Sequence, residues 1–124
     1  MRIAMPRGDI RYIRFLINNP NGTGTDVAFT EIYFTVKKKY TDRLYCFQKK
    51  LSNGGIKPSV DAEGNILPGD YQLKIEPRDT QMMYIGDFVF DVQVDYTYDG
   101  EDILKETFVG DFVLKPEVTY PENE

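Results

Sequence analysis

Residues 87–98 read Asp-Phe-Val-Phe-Asp-Val-Gln-Val-Asp-Tyr-Thr-Tyr, and this stretch decides the fold class. Apolar residues occupy every second position, whereas Asp91, Gln93 and Asp95 stand between them. A strand places alternate residues on one face, whereas a helix would scatter the same residues around its surface. The stretch therefore predicts a β-strand with one buried face, which is formed by Phe88, Phe90, Val92, Val94 and Tyr96.

The same alternation recurs between turn signals, as in a sandwich or a barrel. It predicts further strands within residues 10–17, 32–36, 71–75 and 103–114, with residues 43–48 pairing back on the second of these. Gly110 predicts a bulge in the last strand, and Asp99-Gly100 predicts the hairpin before it. Residues 78–85 predict a helical turn capped by Asp79 or Thr80. Together these signals predict an all-β, immunoglobulin-like antiparallel β-sandwich of about 7–8 strands with at most one short helical turn.

Length and composition fit one domain with a real core, because the chain has 124 residues of which 41% are hydrophobic. We expect a single sandwich across residues 1–118 and a flexible tail across residues 119–124. No apolar run approaches the roughly 20 residues of a membrane span, and we expect no secretory signal because the first nine residues contain no apolar segment. The single cysteine, Cys46, is expected to pack inside a strand between Tyr45 and Phe47.

Charge is distributed unevenly along the chain. Residues 1–84 carry 13 Lys and Arg against 9 Asp and Glu, whereas residues 85–124 carry 2 against 11. The acidic part would repel phosphates, so nucleic acid is not expected as a partner. Two interpretations remain open: basic and acidic strands pair within the fold, or a polar molecule stacks head to tail on copies of itself.

The chain contains no histidine, which removes Ser-His-Asp and Cys-His catalysis and any histidine-containing zinc site. The acidic row that includes Asp91 and Asp95 reads as a solvated sheet face rather than as a calcium site or a glycosidase pair. Arg7-Gly8-Asp9 reads as a turn that enters a strand, not as an integrin-binding motif. We therefore predict no catalytic residues, no cofactor and no metal.

Several segments, taken in order, resemble a known family. They are Arg7-Gly8-Asp9, Ile32-Tyr33-Phe34-Thr35-Val36-Lys37, Phe47-Gln48-Lys49 with Gly54-Gly55-Ile56, residues 71–80 (Tyr-Gln-Leu-Lys-Ile-Glu-Pro-Arg-Asp-Thr), residues 86–94 (Gly-Asp-Phe-Val-Phe-Asp-Val-Gln-Val) and Gly110-Asp111-Phe112-Val113-Leu114. This order is similar to the small β-sandwich domains of tailed-phage and prophage structural proteins, particularly the N-terminal immunoglobulin-like domain of baseplate upper proteins. The likeness spans roughly residues 7–119.

The resemblance implies a non-enzymatic virion component of a tail or baseplate, which acts through protein–protein contacts. Its implied partners are other virion proteins and further copies of itself, with no membrane partner, and its implied location is the virion after assembly in the host cytoplasm. Two features depart from the family pattern. Residues 57–69 form an insert-like segment, and the sequence ends near residue 124, where baseplate upper proteins continue into a stalk or fibre.

Four tyrosines are candidate interface residues, because we expect them to lie outside the alternating buried rows and because tyrosine is enriched at interfaces: Tyr12, Tyr33, Tyr45 and Tyr98. The simpler interpretation is that a domain with 9 tyrosines must expose some of them. An alternative function from a different class also remains open. Exposed tyrosine and aspartate side chains would suit a carbohydrate-binding module that recognises cell-surface glycans.

Overall fold

Two β-sheets face each other in the computed structural model, which describes residues 1–17, 27–98 and 104–117. In chain order the elements are β1 (Arg2–Pro6), β2 (Arg11–Leu16), β3 (Val27–Lys37), β4 (Phe47–Lys50), β5 (Ile56–Val60), β6 (Ile66–Ile75), α1 (Pro77–Thr80), β7 (Gly86–Tyr98) and β8 (Leu104–Lys115). One sheet has the order β1-β8-β7-β3-β4 and the other has the order β2-β6-β5. The fold is the all-β, immunoglobulin-like sandwich that the sequence predicts.

Strand β7 lies at the centre of the larger sheet, between β3 and β8, and it pairs antiparallel with both. Its five alternating apolar side chains are all buried, as the sequence predicts. The alternating rows predicted for β3 and β6 also face the core. These rows comprise Ile32, Phe34 and Val36 on β3 and Leu73 and Ile75 on β6, with Tyr71 packed beside them.

Aromatic rings occupy the middle of the core. Phe34 stacks on Phe90 with 5.4 Å between the ring centroids, and Phe47 meets Phe112 edge to face at 5.9 Å. Such pairs add about 0.5–1.5 kcal/mol each beyond the area that they bury. Because these four residues come from β3, β7, β4 and β8, ring packing joins four of the five strands in the larger sheet.

The predicted bulge at Gly110 is wrong. The pairing of β7 with β8 runs without a register shift from Gly86 to Tyr96, and Gly110 lies directly opposite Phe90. A Cβ atom on Gly110 would lie 2.6 Å from the Phe90 ring, so the glycine makes room for that ring. The irregularity in this sheet is in β3 instead, between Phe29 and Glu31.

The structure differs from the sequence-based predictions in three further places. Strand β1 was not predicted, because it is a short edge strand that pairs parallel with distant β8. Pairing with β3 begins at Phe47, so Cys46 precedes β4 and is exposed rather than packed in a strand. The helical turn α1 begins after Glu76, which is its N-cap, and Asp79 is the third helical residue. The hairpin at Asp99-Gly100 and the tail at residues 119–124 lie outside the described residues.

Three connections share one end of the sandwich, which is called the loop end below. They are residues 7–10 between β1 and β2, residues 38–46 between β3 and β4, and residues 76–85 between β6 and β7. Gly8 has a φ of 83° and donates its N–H to Oγ1 of buried Thr80, 2.8 Å away. The Arg7-Gly8-Asp9 turn is thus packed against α1. No helix in the described part of the chain is long and apolar enough to cross a membrane.

One ion pair fastens edge strand β2 to its neighbour β6. Nε of Arg14 donates to both carboxylate oxygens of Asp70, at 2.8 and 3.0 Å, and Nη2 also contacts this carboxylate. The hydrogen bonds from Arg14 lower the pKa of Asp70 to about 2. The charged form of Asp70 is therefore favoured by folding.

We predict that Gly110→Ala destabilises the protein by about 1–3 kcal/mol, because the added methyl group overpacks the core against Phe90. Urea unfolding followed by circular dichroism measures the change. Val109→Ala serves as the control, since Val109 is an exposed neighbour on the same strand. Equal stability of Gly110→Ala and the parent would contradict the tight fit of Gly110 against Phe90.

We predict that Asp70→Asn is less stable than the parent at neutral pH and that the difference shrinks as the pH falls from about 4 through about 2. The parent loses this stabilisation as its carboxylate is protonated, whereas asparagine has no charge to lose. Unfolding curves at several pH values measure the effect. Arg14→Gln removes the partner and should show the same pH dependence; a difference that is constant with pH would refute the argument.

Candidate functional site

An exposed apolar surface lies at the loop end. It is called the end patch and consists of Leu44, Tyr45, Met82, Tyr84 and Ile85. Met82 is 88% exposed, Tyr84 87% and Leu44 85%, so these side chains add almost nothing to the core. Large exposed apolar side chains grouped at one end of a folded domain are typical of sites that contact another protein.

A groove runs between the two loops that carry the end patch. Its volume is about 530 Å³, and its lining includes Lys38 and Cys46 from one loop and Met82, Met83 and Tyr84 from the other. Met83 packs against the core, whereas Met82 and Tyr84 face outward. The groove is open and mainly apolar, so it suits an inserted side chain of a partner better than a reacting small molecule.

Hydrogen bonds hold the first of these loops in place. Asp42 accepts from the backbone N–H of Lys39 and donates its own N–H to the carbonyl of Lys39, and Nζ of Lys37 donates to the carbonyl of Asp42 at 2.8 Å. The Tyr40 hydroxyl donates to the carbonyl of Gly110 at 2.9 Å. Leu44 and Tyr45 are thus exposed on a loop that is tied to β3 and β8.

The second loop is held by Asp79. This carboxylate accepts the backbone N–H of Glu76 at 2.8 Å and pairs with Nζ of Lys49 at 2.6 Å. Both side chains of the ion pair are about nine-tenths buried. Removing one partner of a buried pair typically costs about 3–5 kcal/mol. The pair therefore fixes α1, and with it Met82 and Tyr84, against strand β4.

Cys46 lines the groove, and although the residue is exposed, partial removal of its thiol from water is the main reason that its pKa is raised above the ordinary thiol value. Nearby Asp42 raises the pKa further, whereas Lys38 opposes the shift. A raised pKa lowers the thiolate fraction at neutral pH, so this cysteine is not an activated nucleophile.

The four candidate interface tyrosines do not form one surface. Tyr12 is exposed on the outer face of the smaller sheet, and Tyr33 is half-buried on the outer face of the larger sheet. Tyr45 belongs to the end patch, and Tyr98 lies at the end of β7, where its side chain is outside the described part. Sequence reasoning missed Met82 and Tyr84. The available signal was the unbroken apolar run at residues 82–85, which does not alternate as a strand would.

A second concave surface lies beside Tyr12 on the smaller sheet. This cleft has a volume of about 320 Å³ and is lined by polar groups that include Lys57, Gln72, Lys74 and Glu76. Nζ of Lys74 lies 5.7 Å from the centre of the Tyr12 ring. The ammonium group therefore occupies a ring face that a sugar would need for stacking.

The acidic residues of β7 lie on the outer face of the larger sheet. Asp91 is half-buried, and removal from water raises its pKa while Lys37 opposes the shift. Four ion pairs occur among the described residues, and of these only Arg7 with Glu117 joins residues 1–84 to residues 85–117. Among these residues, no three acidic, cysteine or histidine side chains form a group that could hold a metal ion.

No protein-family model and no curated protein matches the sequence. Among solved structures, the fold is similar to murine CRIg, an immunoglobulin-like chain, with a TM-score of 0.58 and 13% sequence identity. The match covers 92% of each chain. At this identity the likeness shows the fold alone, which is the immunoglobulin-like sandwich.

We predict that the double variant Met82→Ser, Tyr84→Ser unfolds within about 0.5 kcal/mol of the parent, because both side chains are exposed. The matched control is Met83→Ser, one position away, which should cost about 1–3 kcal/mol because Met83 packs on the core. Urea unfolding measures both. A large loss of stability in the double variant would mean that the end patch is part of the core.

Proposed function

We propose that this chain is a non-enzymatic structural component of a phage or prophage virion, in the tail or baseplate, which acts through protein–protein contacts. The observation that carries the proposal is the end patch, whose largest side chains are exposed while the loops beneath them are held by hydrogen bonds and an ion pair. A surface of this kind serves binding, because folding gains almost nothing from it.

The rigidity of the loop end supports an assembly role. Ordering a flexible loop on binding costs conformational entropy and so weakens affinity. Loops that are already fixed avoid much of this cost. Asp42 fixes one loop and Asp79 fixes the other, so the end patch is presented in one arrangement before a partner arrives. Repeated copies in a particle need such an invariant contact surface.

The virion part of the proposal is supported by the ordered set of segments that resemble phage structural domains. Two of these segments meet at the end patch region, since residues 71–80 include α1 and residues 86–94 begin β7 directly after Ile85. The absence of histidine supports a non-enzymatic role because it removes the commonest general acid–base group.

A carbohydrate-binding function is the alternative from another class. The cleft beside Tyr12 is the surface that favours it, since it combines an aromatic ring with amide and carboxylate groups. The position of Lys74 over that ring weakens this alternative, because stacking of a sugar would require the ammonium group to move. Protein contacts therefore remain the better-supported function.

The test uses particles from the strain that carries the gene, purified by density and quantified by mass spectrometry. We predict a fixed ratio of this chain to other particle proteins and at least a tenfold loss of incorporation for Met82→Ser, Tyr84→Ser. The control is Val60→Ser, Ile66→Ser, an exposed apolar pair on β5 and β6 far from the loop end. Absence of the chain from particles would contradict the virion role, and normal incorporation of the first variant would contradict the role of the end patch.

A further inference from the structure

Among the described residues, one long edge of the larger sheet is paired over only part of its length. Strand β1 pairs with residues 111–115 of β8, and no described residue pairs with the same edge of β8 across residues 104–110. On the facing sheet, β2 is also an edge strand, because β6 is its one neighbour in the part of the chain that the structure describes. Exposed strand edges present unpaired N–H and C=O groups that can accept another strand.

An apolar cavity lies between these two edges and is called the seam. Its volume is about 110 Å³, and its lining includes Ile3 of β1, Phe108 of β8, Ile13 and Phe15 of β2, and Ile17 directly after β2. Phe108 remains 48% exposed although it lies opposite buried Val92. Arg11 closes the seam toward the loop end, since its Nη1 donates to the carbonyl of Ala4 at 3.0 Å.

We propose that the seam accepts residues 118–124 of a second copy of this chain, added as a strand beside β8 in line with β1. Strand addition of this kind combines main-chain hydrogen bonds with pockets for alternate side chains. The inference goes beyond the proposed function, because self-association is a property of the isolated protein and does not depend on a virion.

The sequence of this segment suits the seam. Val118 and Tyr120 share one parity and would face the apolar lining, while Thr119 would face outward. Pro121 ends the ladder because it has no N–H to donate. Glu122 and Glu124 follow, and they would reach the exposed Arg2 at the start of β1. The charges are therefore complementary.

An extended strand that places Tyr120 beside Phe108 cannot form within one chain. Residue 115 lies at the loop end, and Phe108 is seven residues back along β8, or about 23 Å away. The main chain from residue 115 to Tyr120 spans at most about 18 Å, so Tyr120 falls short of Phe108. A second copy is required, and its loop end must lie beneath the opposite end of the first.

This geometry makes the contact head to tail. The donor segment leaves the loop end of one copy and enters the seam of the other copy at the end opposite its loop end. It therefore runs parallel to β8 of that copy, as β1 does. The contact joins two different surfaces, so it generates a ring if the rotation closes and a filament if it does not. The same arrangement brings Glu122 and Glu124 of one copy toward Arg2 of the next.

The test is sedimentation velocity of the full chain across a concentration series at low and high salt. We predict reversible self-association that Val118→Ser, Tyr120→Ser weakens at least tenfold, whereas the control Thr119→Ser, Asn123→Ser does not. Phe108→Ser on the acceptor side should weaken association equally while leaving the fold intact, because Phe108 is half exposed.

Mixing the two defective proteins gives the sharpest result. Phe108→Ser retains its donor segment, and the Val118→Ser, Tyr120→Ser variant retains its seam, so the mixture should form dimers and nothing larger. No dimer in the mixture would overturn the proposal. Unchanged association of either variant would also overturn the proposal. If Phe108→Ser lowers stability without changing association, the seam is filled by another part of the same chain, such as residues 18–26, and the proposal is wrong.

Discussion

The contact between the two central rings, Phe34 of β3 and Phe90 of β7, is the interaction on which the rest of the structure depends. Phe90 needs the space that Gly110 leaves on β8, and Phe34 also contacts Phe47 of β4. The order β8-β7-β3-β4 is therefore fixed by side-chain volume as well as by backbone pairing. Because the strand order is fixed, the ends of the strands that the loop-end connections join lie close together.

Both exposed apolar surfaces follow from this arrangement. The end patch exists because two loops separated by some forty residues in sequence are brought to one end of a rigid sheet, where Asp42 and Asp79 hold them. The seam exists because β1 covers only part of β8. The two surfaces lie toward opposite ends of the sandwich, which is the geometry that stacking of like molecules requires.

Local patterns in the sequence predict the strands and the buried rows well, since alternation is a property of neighbouring residues. The alternate residues from Phe88 to Tyr96 on β7 and from Ile32 to Val36 on β3 were predicted on this ground to face the core, and they are buried. Sequence patterns do not predict features that depend on a contact between residues distant in the chain. Strand β1 depends on β8 at the other end of the chain, and Gly110 serves a ring on β7 rather than a bulge. The end patch could not be predicted because Leu44 and Met82 are brought to one end only by folding, although the apolar run at residues 82–85 was a visible signal.

The central claim is that this sandwich works by presenting its loop end to another protein. Electron cryomicroscopy of the particle that contains the chain tests this claim most directly. The account predicts density for the sandwich in which residues 38–46 and 76–85 are buried against a neighbouring protein. Density in which both loops face solvent, with contacts made elsewhere on the domain, would contradict it.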